Sequence, residues 1–198
     1  MNQLPNADLF FLSRKKLVKK STAELFAGKD ILLIGITGAY EPTDVQMVKD
    51  YEEAHSQIIK ETPIDEIYFV SMNDPYVMDA WWKSMKIKNC KYLPDGNGAY
   101  SYRLDIQGGM SGGLGVVEMY NKGMGKRGWR WCCLVEDNIQ MSYLEEETAD
   151  GSTNRDNYEQ VAYEETTVDR TLAWLKARDQ SDNIKQQNDF SKDPSKPQ

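Results

Sequence analysis

An apolar strand that runs directly into a glycine turn and a helix constrains the fold of this chain more than any other feature. Residues 31–36 form a continuous apolar run, Gly38 follows in a tight turn, and a helical pattern begins at Thr43. Backbone N–H groups at the start of a helix favour negative charge, and many α/β proteins present a reactive group there. In this chain the residue at that place is Asp44. The pattern therefore places a carboxylate at the helix start, where many α/β proteins present a reactive group.

The elements around this segment predict an α/β layer fold. Thr43 and Gln46 have the spacing of a capping box, which indicates a helix from Thr43 to about Lys60. A second apolar strand and a helix that begins after Asp74 follow, and a late hairpin turns at residues 137–138. Strands that alternate with helices are typical of α/β proteins. We expect a central mixed sheet of about five or more strands, flanked by helices.

The length and the order of polar segments favour one domain. A chain of 198 residues is large enough for one ordinary core. Residues 179–198 are polar and typical of disorder, so we assign the domain to 1–178 and a polar tail to 179–198. No apolar run approaches about 18 residues, and the first residues lack the pattern of a signal peptide. We therefore expect an intracellular protein that spans no membrane.

Most of the net charge of −7 lies in one segment and argues against nucleic-acid binding. Between Glu145 and Arg170 we count nine acidic and two basic residues. A solvated acidic loop is the simplest interpretation, and a surface that docks a protein partner is the alternative.

The cysteine count indicates a reducing compartment and predicts no metal site. Cys90, Cys132 and Cys133 cannot all pair within one chain. We interpret each as a small core residue, because strand interiors lack the helix-start environment that lowers a thiol pKa. The sequence has no CxxC motif and no Cys/His spacing suited to zinc, and it predicts no cofactor.

Four segments of the chain carry a resemblance to a known family, and in order they are AELFAGKDILLIGITGAYEPT, VSMNDPYVMDAWWKSM, PDGNGAYSYRLD and KGMGKRGWRWCCLVEDN. They resemble the peroxiredoxins, which are thiol peroxidases of thioredoxin-like fold, and in particular their atypical single-domain branch, the redoxins. The resemblance covers about residues 8–178. It implies a thioredoxin-like peroxiredoxin fold, with insertions near 106–117 and 147–165.

The same resemblance places the family's reactive site on altered residues. The family pattern is Pro-x-x-x-Thr/Ser-x-x-Cys, with an arginine from a later strand. Thr37 stands at the proline position, Glu41 at the Thr/Ser position and Asp44 at the cysteine position. Arg127 matches the family's arginine, and Arg130 matches a second arginine that we expect to give structural support.

Two interpretations of these acidic residues are open. Asp44 is a helix-start residue paired with Arg127 in a fold retained for its shape, or Glu41 and Asp44 form a carboxylate pair for acid–base work or a metal. A carboxylate keeps the charge of a thiolate but cannot cycle through a sulfenic acid. The first interpretation predicts a direct ion pair of Asp44 with Arg127, at less than about 4 Å.

These departures favour a catalytically inactive protein that serves as a structural or interaction subunit of a larger assembly, in the cytoplasm or in a virus particle. The alternative is a thiol-dependent peroxidase that uses a displaced cysteine. The expected partners are proteins, as a homo-dimer or a larger assembly. The candidate contact residues are Met110, Leu114 and Phe190, in the Gly/Met-rich insertion and the tail.

Overall fold

The computed structural model describes residues 2–107, 116–146 and 163–190 of the chain. The strands are β1 (Asn2–Gln3), β2 (Asp8–Ser13), β3 (Lys16–Ser21), β4 (Asp30–Gly35), β5 (Glu66–Ser71), β6 (Lys91–Pro94), β7 (Val116–Met119), β8 (Gly125–Gly128), β9 (Trp131–Glu136) and β10 (Ile139–Glu145). The helices are α1 (Thr22–Phe26), α2 (Pro42–Glu61), α3 (Pro75–Met85), α4 (Ser101–Gln107) and α5 (Val168–Phe190).

A six-stranded mixed sheet forms the centre, in the order β1-β10-β9-β4-β5-β6. Strands β4, β5 and β6 are parallel, whereas β9 pairs antiparallel with β4 and β10 antiparallel with β9. Two small antiparallel sheets, β2–β3 and β7–β8, are not hydrogen-bonded to it. The predicted α/β fold with a mixed sheet of five or more strands is confirmed.

Strand β4 is apolar from Ile31 onward because it is buried on both faces. Ile31 and Leu33 belong to one core, and Leu32 and Ile34 belong to a second core on the opposite face. Successive side chains of a strand point to opposite faces, so a central strand covered on both sides needs a continuous apolar run. The second core includes apolar residues of α2, α3 and α5, so these helices cover one face of the sheet.

The two hairpins turn where polar residues adopt positive φ. Asp137 and Asn138, with φ of 43° and 65°, connect β9 to β10, as the sequence predicted. Arg14 and Lys15, with φ of 48° and 66°, connect β2 to β3 in the same way. Strand β2 contacts both α3 and β6, so this first hairpin lies beside the edge of the main sheet.

Helix α5 continues beyond the expected end of the domain. It runs to Phe190, whereas the sequence predicted a polar tail from residue 179. Leu172 and Leu175 anchor its first half in the second core. Met110 and Leu114 lie outside the described residues, so their role as contacts stays a prediction, as does the domain boundary at 178. None of the described helices has the length and apolarity needed to cross a membrane.

Candidate functional site

The turn between β4 and α2 forms the base of the site. Helix α2 begins at Pro42, and Glu41 is its N-cap, because Glu41 Oε2 accepts the Asp44 N–H at 2.8 Å. The predicted capping box of Thr43 with Gln46 is therefore wrong. Glu41 lies directly before a proline, and proline is favoured in the first turn of a helix, where its missing N–H costs nothing.

Asp44 is completely buried, and both of its carboxylate oxygens are engaged. Oδ2 accepts the backbone N–H of Gly38 at 2.8 Å. Oδ1 accepts from Arg130 Nε at 3.0 Å and from Arg130 Nη2 at 2.7 Å. Arg130 is also fully buried, and its Nη2 lies 3.2 Å from Glu41 Oε2. One buried ion pair thus joins the turn and the start of α2 to the residue directly before strand β9, and Glu41 lies at the edge of this pair as a second acid.

The predicted ion pair of Asp44 with Arg127 is wrong. Arg127 lies in the two-stranded sheet β7–β8 and packs over the turn, with its Nε 3.7 Å from the point that a Cβ on Gly38 would occupy. Its guanidinium donates to the carbonyl of Lys126 at 2.8 Å. Within the described residues it forms no ion pair. Arg130, expected only as structural support, is the arginine that binds Asp44.

The carboxylate of Asp44 is perturbed by its surroundings. Burial raises the pKa of Asp44 to about 6, while Arg130 and the Gly38 N–H act in the opposite direction and lower it. Because Asp44 is completely buried and its oxygens accept three hydrogen bonds from the protein, the carboxylate is closed off from a substrate in solution. Among the described residues, no group of three or more potential ligands could hold a metal ion. The observed geometry is that of a structural ion pair.

Thr37 lies beside this ion pair and is almost fully buried. Its hydroxyl Oγ1 has no hydrogen-bond partner among the described residues. Before Thr37, the Ile36 N–H donates to the carbonyl of Val70 at 3.1 Å, and after it the Ala39 N–H donates to Asn73 Oδ1 at 2.8 Å. The turn is therefore fixed by hydrogen bonds on both sides of Thr37.

Two of the cysteines are closed inside the sheet. Cys132 and Cys133 are 0% and 2% exposed and lie on opposite faces of β9. Cys132 Sγ is 3.3 Å from the hydroxyl of Tyr51, and burial raises the pKa of its thiol to about 12. Burial also raises the pKa of Cys133. The interpretation of these two thiols as core residues agrees with their surroundings.

Cys90 is also buried, at 3% exposed, and belongs to the second core, so the interpretation as a core residue agrees with its surroundings too. It lies between α3 and β6 and is one of the residues that line a surface pocket of about 430 Å³ beneath the β2–β3 hairpin, a feature that was not predicted from the sequence. Glu52 of α2 fixes this connection, because its carboxylate accepts the backbone N–H groups of Lys88, Asn89 and Cys90 at 2.9–3.1 Å. Burial, and then the charge and hydrogen bond of Glu52, raise the pKa of the Cys90 thiol. The signal in the sequence was a cysteine between two lysines, KNCK, after the end of a helix.

Comparisons with known proteins give the family. The redoxin family model matches residues 2–162. A peroxiredoxin of Rhizobium etli is 33% identical over 129 residues, which cover 65% of this chain and 66% of the relative, just under two thirds of its length. A peroxiredoxin of Synechocystis is 32% identical over 159 residues, covering 79% of this chain and 76% of the relative.

A solved structure agrees with these matches. The antioxidant protein of Plasmodium falciparum, described as a 1-Cys peroxiredoxin, superposes with a TM-score of 0.77 at 32% identity and covers 89% of this chain and 97% of that one. The chain belongs to the redoxin family as a peroxiredoxin.

Proposed function

We propose that this chain is a thiol-dependent peroxidase that reduces a hydroperoxide with a cysteine displaced from the β4–α2 turn. Support comes from relatives that carry the name peroxiredoxin over most of this chain and from the three free thiols that the chain retains. The observation that favours Cys90 is its place in the lining of a pocket, because a reacting sulfur must be reached by a substrate, and the 3% exposure of Cys90 then requires a small movement of the pocket wall.

The prediction of a catalytically inactive structural subunit is contradicted by these relatives. The proteins and solved structure described above are named as peroxiredoxins, and one is an antioxidant protein. The prediction gave too much weight to residue 44, although the chain holds thiols elsewhere. The same relatives give no support to a virus particle. Asp44 at the family's cysteine position remains a proposal from the resemblance, and the observed Asp44–Arg130 pair gives it a structural role.

The proposed reaction uses the thiol of Cys90, one hydroperoxide and two external thiols. Cys90 Sγ attacks one oxygen of the peroxide, the O–O bond breaks, an alcohol or water leaves, and a sulfenic acid forms on Cys90. One external thiol condenses with it and releases water, and a second external thiol frees Cys90 and leaves as a disulfide. The hydroperoxide gains two electrons and the two external thiols lose them, so the cycle balances.

Cys90 starts this cycle as a thiol. Because burial and Glu52 raise its pKa, the reactive thiolate is a minor species at neutral pH. We therefore propose a slow peroxidase whose rate still increases with pH above the ordinary range of thiol ionisation, because the pKa of Cys90 is raised. A reducing compartment such as the cytoplasm suits the three free thiols. Self-association into a dimer or larger assembly is part of the same proposal.

A peroxide-consumption assay with a dithiol reductant tests the function. The purified chain should consume hydrogen peroxide or an alkyl hydroperoxide faster than the reductant alone, and Cys90→Ser should remove this excess. Cys132→Ser and Cys133→Ser are the matched controls and should retain it. Consumption no faster than the reductant alone would refute the proposed function. Consumption that survives Cys90→Ser and is lost in a control variant would refute the choice of cysteine.

A further inference from the structure

The pocket beside Cys90 has the size and walls of a small-molecule site. Its volume of about 430 Å³ falls within the range of roughly 300–1,000 Å³ that is typical of ligand pockets. It is formed mainly by the β2–β3 hairpin, the end of α3 with the residues that follow it, and the edge strand β6, and Leu25 of α1 and Tyr68 of β5 also line it. A pocket between elements far apart in sequence keeps its shape only while the hairpin stays packed on the sheet.

The floor of the pocket is apolar and aromatic. Trp82 and Tyr92 contact each other with ring centroids 5.3 Å apart, and Phe11 lies 6.2 Å from Tyr92. The indole N–H of Trp82 is already used, because it donates to the carbonyl of Cys90 at 3.0 Å. Aliphatic residues, including Val18 and Ile87, complete the walls. Such walls favour a hydrocarbon or aromatic body through the removal of apolar surface from water.

The charged groups of the pocket are all positive. Lys20, Lys88 and Lys91 line it, and none of the described residues that line it is acidic. Lys91 is paired with Glu66 at 2.5 Å. Lys20 Nζ lies over the ring of Phe11, 5.7 Å from its centroid, and neither Lys20 nor Lys88 forms an ion pair within the described residues. Two lysines, Lys20 and Lys88, thus line an apolar pocket without an ion-pair partner in the described part of the chain.

The basic character extends along the hairpin that covers the pocket. Of residues 13–20, five are basic, namely Arg14, Lys15, Lys16, Lys19 and Lys20. The chain as a whole carries a net charge of −7, so this surface is opposite in sign to the rest of the molecule. A local positive field attracts an anion to this rim and repels a cation.

We propose that this pocket binds an organic monoanion with an apolar body, of the class of the aliphatic carboxylates. The apolar body lies against Trp82 and Tyr92, and the carboxylate lies between the ammonium groups of Lys20 and Lys88. The extension to catalysis rests on the proposed function: if Cys90 is the reacting thiol, an anionic organic hydroperoxide is a better substrate than hydrogen peroxide, because it binds beside the sulfur. The binding itself requires no reaction.

Titration calorimetry with dodecanoate, below its micelle-forming concentration, tests the binding. Dodecyltrimethylammonium is the matched ligand of opposite charge, and we expect dodecanoate to bind at least about tenfold more tightly. The indole N–H resonance of Trp82, identified with Trp82→Phe, should shift on binding. Equal affinity for the two amphiphiles, or no shift at Trp82, would overturn the proposal.

Charge-reversal variants locate the carboxylate. Lys20→Glu combined with Lys88→Glu should weaken dodecanoate at least about tenfold, whereas two reversals away from the pocket, Lys49→Glu with Lys60→Glu, should leave its affinity unchanged. If the two double variants lose the same affinity for dodecanoate, the ligand is attracted only by the net charge of the protein, and the proposed site is refuted. Failure of this binding with thiol-dependent peroxide consumption intact refutes the pocket alone. Binding without peroxide consumption refutes the proposed function alone.

Discussion

Asp44 shows how one buried carboxylate can hold a turn in place. A carboxylate moved from water into a protein interior is stable only when its oxygens are paired and hydrogen-bonded. Asp44 meets this requirement with the Gly38 N–H and the two nitrogens of Arg130. The net attraction within the ion pair therefore adds little to the stability of the fold. The larger effect is the penalty that arises when one partner is removed and the other charge stays buried without a partner.

Removal of this carboxylate should destabilise the fold. We expect Asp44→Ala to lower the free energy of unfolding by about 3 kcal/mol, the lower end of the range for a broken buried pair, because Glu41 still lies beside Arg130. Urea denaturation monitored by tryptophan fluorescence measures the change. Asp8→Ala is the matched control, since the Asp8–Lys19 pair is exposed and should contribute at most about 1 kcal/mol.

A double variant separates the pair from the loss of packing. Asp44→Ala with Arg130→Met removes both charges, so it should be less destabilising than the sum of the two single variants. Strict additivity would show that the two side chains do not interact.

The ionisation of Asp44 should also make stability depend on pH. Burial raises its pKa to about 6, above the ordinary value of 3.8, so the folded state binds the proton more tightly than the unfolded state. The stability from this group is fully present below pH 3.8 and is lost as the pH rises through about 6. We expect the free energy of unfolding of the wild type, relative to Asp44→Asn, to decrease between pH 4 and 6.5 in urea titrations. A constant difference would mean that folding does not raise this pKa.

At the scale of elements, helix α2 connects the buried Asp44–Arg130 ion pair to the pocket of Cys90. Its first turn carries Asp44 at the β4 turn, and its middle carries Glu52 at the connection before β6. A rigid helix therefore fixes the distance between the buried ion pair and the pocket of Cys90.

We expect Glu52 to control the reactivity of the Cys90 thiol. Its carboxylate raises the thiol pKa, so Glu52→Gln should move the alkylation of Cys90 by iodoacetamide to lower pH, with about a tenfold faster rate for each unit of pKa lost. The measurement uses the Cys132→Ser/Cys133→Ser background. Glu53→Gln, at the exposed neighbouring position of the same helix, should have no effect. Identical pH profiles for the two variants would exclude this role of Glu52.

The sequence predicted the elements better than it predicted the contacts between them. The apolar run of β4, the Asp74 N-cap and the Asp137–Asn138 turn depend on local pattern, and each is present. Whether Arg127 or Arg130 pairs with Asp44 depends on which part of the chain packs against the turn. No local sequence pattern contains that information. One signal was present: Arg130 lies between two tryptophans, and an arginine inside an apolar run needs a buried acid.

At the scale of the whole molecule, different elements pack against the two faces of the central sheet. One core lies beneath α2, α3 and α5, and the other includes Phe26, Tyr100 and Trp129. The first half of α5 belongs to the fold, because Leu172 and Leu175 are buried and Arg178 Nη1 donates to Ser142 Oγ at 2.8 Å. The residues after 178 are held by none of these contacts.

Deletion of residues 179–198 should therefore weaken self-association without unfolding the domain. The buried contacts that the structure describes for α5 involve Leu172 and Leu175, which precede the deletion. We therefore expect a Tm within about 2 °C of the full chain, because such a shift corresponds to less than about 1 kcal/mol. Sedimentation velocity over a series of concentrations measures the association. Deletion of residues 191–198 alone, which keeps α5 to Phe190, is the matched control and should retain more of the association if Phe190 contributes a contact. A full chain that is monomeric throughout, or association that is the same in all three chains, would exclude the C-terminal segment as an interface.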